Sequence, residues 1–193
     1  MCDYKIIGVV GMPGSGKSVF DSVAKELGFS VIIMGDIIRG EVIRRGLMLS
    51  PENIGKIMVD IRKEGDAVVA KRCILKIRES KNRKIVIDGV RSLVEVEEFK
   101  RNFPEFQLIY IQSSPEIRFQ RIANRRRSDD SQKQDTFIER DHRELEVGIG
   151  SAIAMADYII INGETLSQFK LKVKRFLKAI PDEPNNSKNR SGS

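Results

Sequence analysis

The sequence predicts an α/β fold with a five-stranded parallel sheet and helices on both faces. Two observations predict it. Five apolar runs of five to seven residues, rich in Ile and Val, alternate with longer stretches of helical periodicity. Most of these runs are continuously apolar, as strands buried on both faces require, and each is followed by enough chain for a helical crossover. The chain has 193 residues, 40% of them hydrophobic, which is ample for one core.

Lys5–Gly11 reads as the first strand and Gly16–Leu27 as the helix after it. Ser30–Met34 is the second strand, and Asp36–Gly46 is helical. Ser50 is a helix N-cap with Pro51 in the first helical position, opening a helix over Pro51–Glu64. Asp66–Ser80 forms another helix, with Cys73 among Ala70, Ile74 and Ile77 as a small core side chain. Lys84–Asp88 is a short β-branched strand ending in Asp. Leu93–Arg101 is helical and stops before Pro104. Phe106–Gln112 is a strand and Pro115–Arg127 a helix. Ser128–Gln134 is a polar loop, Thr136–Gly148 a helix, Asp157–Asn162 the last strand and Leu166–Ala179 the last helix. The long connection between the second and third strands exceeds one crossover and predicts a helical insertion over residues 36–80. A lid is expected over 121–143, within a single domain spanning 1–180. Residues 181–193 contain no apolar side chain to bury and are expected to be disordered.

Lys and Arg number 34 against 27 Asp and Glu, a formal net charge of +7. That balance favours anionic partners: nucleotides, nucleic acid or an acidic surface. Two cysteines, Cys2 and Cys73, and one histidine, His142, make neither a disulfide framework nor an ordinary structural zinc site. No apolar run is long enough to span a bilayer, and the apolar opening is too short for a signal peptide, so a cytoplasmic setting is expected.

The sharpest motif is GMPGSGKS, which fits G-x-x-x-x-G-K-S/T between a strand and a helix. Its residues are Gly11, Met12, Pro13, Gly14, Ser15, Gly16, Lys17 and Ser18. Gly14 and Gly16 let the backbone turn its N–H groups around phosphate oxygens, and the following helix N-terminus adds its positive end. Lys17 reaches the β- and γ-phosphates of ATP, and Ser18 supplies a hydroxyl oxygen to Mg²⁺. An apolar strand ending in Asp88 places a second metal element, a carboxylate, beside the loop. The expected cofactor is Mg²⁺ with ATP, on a three-layer P-loop kinase fold.

Other segments resemble adenylate kinases. MGDIIRGEVIRRG (34–46) is similar to their Gly-Asp-x-x-Arg segment, and DGVRSLVEVEEF (88–99) to their Asp-Gly-Phe-Pro-Arg segment. RIANRRRSDD (121–130) resembles their lid, where Arg-x-x-x-Arg precedes Arg-x-Asp-Asp. ADYIIINGE (156–164) is closer to the last strand of dephospho-CoA kinases. The resemblance covers about residues 5–179 and is best to archaeal adenylate-kinase-related proteins of the P-loop nucleoside monophosphate kinase superfamily. It implies that Arg39 and Arg91 grip the phosphate of an acceptor nucleotide, with AMP favoured, and that Gly35, Asp36 and Gly89 belong to the same acceptor site, Asp36 orienting Arg39 or a metal-bound water. Guanidinium forks suit that task independently, because they hold phosphate with two parallel bonds. Arg44 and Arg45 read as a solvated face. The resemblance also implies that Arg121 covers the donor adenine and Arg125 contacts its phosphates. Arg127 becomes a catalytic lid arginine, and a second one is Arg140 or Arg143.

The chain departs from the adenylate kinase pattern at Glu95, where those enzymes carry Gln. A carboxylate only accepts hydrogen bonds, so Glu95 suits the guanine edge or the cytosine amino group if it faces the acceptor base; otherwise it is solvated. Two other functions compete. A dephospho-CoA kinase has a hydroxyl acceptor that needs a base, for which Asp36 is the candidate. A nucleotide-dependent RNA or ribosome-assembly factor draws on the stretch 71–84, with seven basic residues and one acidic. The absence of tryptophan and the 6% aromatic content argue against a surface for stacking bases.

Overall fold

The computed structural model describes residues 4–125 and 133–179. Arg127, Asp129, Asp130 and the tail 181–193 lie outside the described residues. The elements run β1 (Lys5–Val10), α1 (Lys17–Glu26), β2 (Ser30–Ile33), α2 (Met34–Arg44), α3 (Pro51–Arg62), α4 (Val68–Glu79) and β3 (Lys84–Asp88). They continue with α5 (Leu93–Asn102), β4 (Gln107–Gln112), α6 (Pro115–Arg125), α7 (Gln134–Val147), α8 (Ile149–Ala154), β5 (Tyr158–Ile161) and α9 (Leu166–Ala179).

All five strands are parallel, in the order β2-β3-β1-β4-β5. Side chains alternate across the sheet. Ile7 and Val9 of β1, Val86 of β3 and Ile109 and Ile111 of β4 pack on α1 and α9 through Phe20, Val23, Phe169 and Val173. Ile6, Val10, Ile85, Ile87 and Leu108 face the other way, onto α2, α4, α5 and α8. Both faces are therefore covered, and the strands read as continuous apolar runs for that reason. Central β1 delivers its following loop to the middle of the sheet's carboxyl edge, and Asp88 lies in register with Val9 beside it.

Three differences from the sequence reading have local causes. The second helix starts at Met34, directly after β2, so Asp36 lies in its first turn. The predicted helix to Gly148 stops at Val147, and a further short helix, α8, follows. Gly148 carries φ of 105°, which closes α7 and starts α8. Arg44 and Arg45 are not simply a solvated face. Both bond to Glu41, 5% exposed, at 2.6–2.8 Å, and Arg72 of α4 reaches the same carboxylate at 3.2 Å. Arg45 also pairs with Asp60 of α3, so this network ties the three helices of the insertion into one plate.

The Glu41 carboxyl is held down at about 2, chiefly by its bonds to Arg44 and Arg45. Its folded value lies below the ordinary 4.5, so its contribution is present above that pH and is lost as pH falls towards 2. Glu41→Gln is expected to cost about 1–2 kcal/mol at neutral pH, because the arginines it leaves behind are 27–71% exposed and water screens them. Melting curves should show the gap from the wild type closing between pH 4.5 and 2.

Candidate active site

The loop between β1 and α1 is held by side chains from distant elements. Lys17 Nζ donates to the Gly11 carbonyl at 2.6 Å. Arg118 of α6 donates to the Pro13 carbonyl at 3.1 Å, and Asn162 Nδ2, just after β5, donates to the Ser15 carbonyl at 2.8 Å. The fit leaves no room for side chains at two glycines. A Cβ on Gly14 would sit 2.7 Å from the Arg118 carbonyl oxygen, and one on Gly16 would sit 2.3 Å from Asn162 Nδ2. Both residues also have positive φ, 80° and 108°. Each peptide is planar and trans, so a fixed carbonyl fixes the following N–H on the opposite side. The first N–H groups of α1 lack intrahelical partners as well.

A cavity of about 510 Å³ opens over this loop. Gly11, Pro13, Gly14, Gly16, Lys17 and Ser18 line it, with Arg121 and Arg125 of α6. Met12 packs against the core instead, and Ser15 is buried beneath the loop with its hydroxyl unpartnered. Asp88 lines the cavity too, and its buried Oδ1 has no hydrogen-bond partner among the described residues. Burial pushes the Asp88 carboxyl up, and it pushes Lys17 down against the pull of Asp88. Asp21, one turn beyond Lys17, is pushed up to about 8 by burial and then by neighbouring Asp88. An orphaned carboxylate oxygen in a cavity that a serine also lines suits a divalent cation, so Ser18 and Asp88 fit Mg²⁺.

Gly35 and Arg39 of α2, and Gly89 and Arg91 after β3, line the same cavity. Asp36 does not line it; its carboxylate receives Arg39 Nε at 2.8 Å. Glu95 requires a correction. It is neither solvated nor directed at an acceptor base, because it is 2% exposed and its Oε2 accepts the Arg91 backbone N–H at 2.8 Å. The Glu95 carboxylate therefore anchors the backbone that carries Arg91. Of the two candidates for the second lid arginine, Arg140 lines the cavity, whereas Arg143 is exposed and does not line it.

Several residues of the site were missed from the sequence. Glu144 lines the cavity; its Oε2 forms an ion pair with Arg91 Nε at 3.4 Å and has no hydrogen-bond partner among the described residues. Its spacing of four from Arg140 would have placed both on one helix face. Asn162 also receives Arg121 Nη2 on its side-chain oxygen at 3.0 Å, which positions that arginine. Nothing local in the sequence marks Asn162. In the stretch 71–84, Arg72 binds Glu41 and Glu64, Arg78 binds Asn102, and Arg83 lies over the Tyr4 ring.

A family model described as an AAA domain matches residues 10–138. A UPF0200 protein of Methanococcus vannielii is 46% identical over 179 residues, covering 91% of this chain and 96% of that protein. The chain belongs to the UPF0200 family. A UPF0200 protein of Methanothermobacter thermautotrophicus is 43% identical and covers 92% of each chain. Among solved structures, this UPF0200 chain matches a shikimate kinase from Acinetobacter baumannii with a TM-score of 0.62. The identity is 15%, over 92% of this chain and 93% of that one. A gluconokinase from Sinorhizobium meliloti matches with a TM-score of 0.54 at 15% identity, over 92% and 93% of the chains. These likenesses show the fold: the UPF0200 chain has the P-loop kinase fold, a parallel sheet covered by helices on both sides.

The role of Glu95 can be checked by steady-state kinetics. Glu95→Gln keeps an oxygen for the Arg91 N–H and should leave acceptor preference unchanged. Glu95→Leu removes it and should raise the acceptor KM about tenfold while the ATP KM holds. A new base preference in Glu95→Gln would return this residue to the cleft.

Proposed function

We propose that this chain transfers the γ-phosphate of Mg·ATP to a nucleoside monophosphate in the cytoplasm, with AMP the first acceptor to test. The observation that carries this reading is the convergence on one cavity of Lys17 and Ser18 with Arg39 and Arg91. The first pair suits a triphosphate on the loop. The second pair comes from separate elements and suits a second phosphate held in line with it. A phosphate acceptor is already anionic and needs no general base. Lys17 and Arg91 would steady the charge on the transferring group, and Arg140 would add to that clamp from α7. By resemblance, Arg121 covers the donor base, Arg125 contacts its phosphates and Arg127 acts from the lid. Ser18 and Asp88 would hold Mg²⁺, which when bound supplies neutralisation of the β- and γ-oxygens.

One observation favours a second reading. Glu144 places a carboxylate in the cavity wall, ion-paired with Arg91 at 3.4 Å, where a hydroxyl acceptor would need a base. The names of the shikimate kinase and gluconokinase point to acceptors of that type. Glu144, rather than Asp36, would then take the proton. RNA contact has less support, because Arg72, Arg78 and Arg83 are engaged within the chain.

The test is Mg·ATP against AMP, GMP, CMP, UMP, dephospho-CoA and no acceptor, assayed for ADP and for the phosphorylated product. Turnover with a monophosphate, AMP foremost, is expected. Lys17→Ala should abolish it, and Arg39→Ala should raise the acceptor KM at least about tenfold while sparing ATP binding. Arg127→Ala should lower turnover at least about a hundredfold. Turnover with dephospho-CoA alone, lost in Glu144→Gln, would replace this reading with the hydroxyl one. Equal turnover by Lys17→Ala and the wild type would overturn both.

A further inference from the structure

Arg118 is 4% exposed, yet its guanidinium serves two elements at once. Nη1 donates to the Pro13 carbonyl of the phosphate loop at 3.1 Å and to Asp141 Oδ1 at 2.8 Å. Nη2 donates to Asp141 Oδ2 at 2.6 Å, completing a two-pronged pair. The guanidinium lies over the Phe137 ring, 5.0 Å from its centre. Asp141 and Phe137 both belong to α7, on the face that also carries Arg140 and Glu144. That face is read from spacing: positions 137, 140, 141 and 144 form one stripe of a helix.

A bidentate pair fixes angle as well as distance, so Arg118 sets both the rotation and the height of α7. Since α7 is a continuous helix, the setting of Asp141 is also the setting of Arg140 and Glu144. This pair is not the sole contact between α6 and α7. Phe119 and Phe137 already meet edge to face at 5.5 Å between ring centres. A buried ion pair is also a costly way to gain stability, since apolar groups of similar size do as well or better. What an apolar contact cannot provide is a donor to the Pro13 carbonyl. That carbonyl belongs to the peptide whose N–H, on Gly14, faces the opposite way.

We propose that Arg118 is a positioning residue that couples occupancy of the phosphate loop to the placement of α7, through the Pro13 carbonyl on one side and the Asp141 carboxylate on the other. A ligand that tightens the loop tightens the Pro13 contact, and the shared guanidinium passes that order to the helix carrying Arg140 and Glu144. The inference rests on the reading that the loop takes nucleotide phosphates.

Hydrogen–deuterium exchange with and without Mg·ADP tests it without requiring turnover. In the wild type, Mg·ADP should slow exchange in residues 11–18 and also in 137–147, at least about threefold each. In Asp141→Asn the slowing over 11–18 should persist and that over 137–147 should be lost. Arg118→Lys keeps the buried charge but cannot hold both partners. It should lose the slowing over 137–147 as well, which keeps the test open if Asp141→Asn fails to fold. A merely structural pair would lower the melting temperature of both variants and leave the Mg·ADP-induced slowing of 137–147 intact, and that result would overturn the proposal. Slowing over 11–18 alone in the wild type would overturn it too. No slowing over 11–18 in the wild type would overturn the loop reading, and this inference with it.

Discussion

The site depends on how the carbonyl oxygens of one loop are held. Lys17, Arg118 and Asn162 take the carbonyls of Gly11, Pro13 and Ser15. Peptide planarity then sets the N–H groups of Met12, Gly14 and Gly16. The loop is shaped for an anion before one arrives, so little ordering remains to be done on binding. The cost of this arrangement is visible in the residues that enforce it. Gly14 and Gly16 have no room for a Cβ, and Arg118 is a fully buried cation.

Charge gives the cavity its sign. Lys17, Arg39, Arg91, Arg121, Arg125 and Arg140 line it, against Asp88, Glu144 and Glu164, so the wall favours an anionic ligand. Burial shifts Lys17 and Asp88 in this wall and Asp21 behind it. Lys17 is pushed down, and Asp21 and Asp88 are pushed up, each for lack of water. Phosphate oxygens beside Lys17 and a divalent cation beside Asp88 would relieve both. The insertion follows another logic: Glu41 gathers three arginines and makes α2 a firm support for Arg39.

The parts of this architecture that are local in the chain were legible in the sequence. The strands showed as apolar runs because both faces of the sheet are covered, and the loop showed because its glycines, Lys17 and Ser18 are adjacent. Arg39, Arg91 and Arg121 showed through resemblance, each within a short motif. What stayed hidden is set by long-range packing. Arg118 lies 105 residues from Pro13, and Asn162 lies 147 from Ser15. Glu95 misled because a motif position says nothing about direction; its carboxylate turns inward to the Arg91 backbone. The α7–α8 break at Gly148 was missed because a single glycine near a helix end does not reveal that a new helix begins there.

If one cleft holds a donor triphosphate and an acceptor monophosphate together, a single ligand that carries both should bind tightly. Calorimetric titration with two adenosines joined by five phosphates tests it most directly, because that ligand spans both places. One ligand per chain is expected, bound at least about a hundredfold more tightly than ATP, with the gain lost in Arg39→Ala. Binding no tighter than ATP, or unchanged by Arg39→Ala, would contradict it.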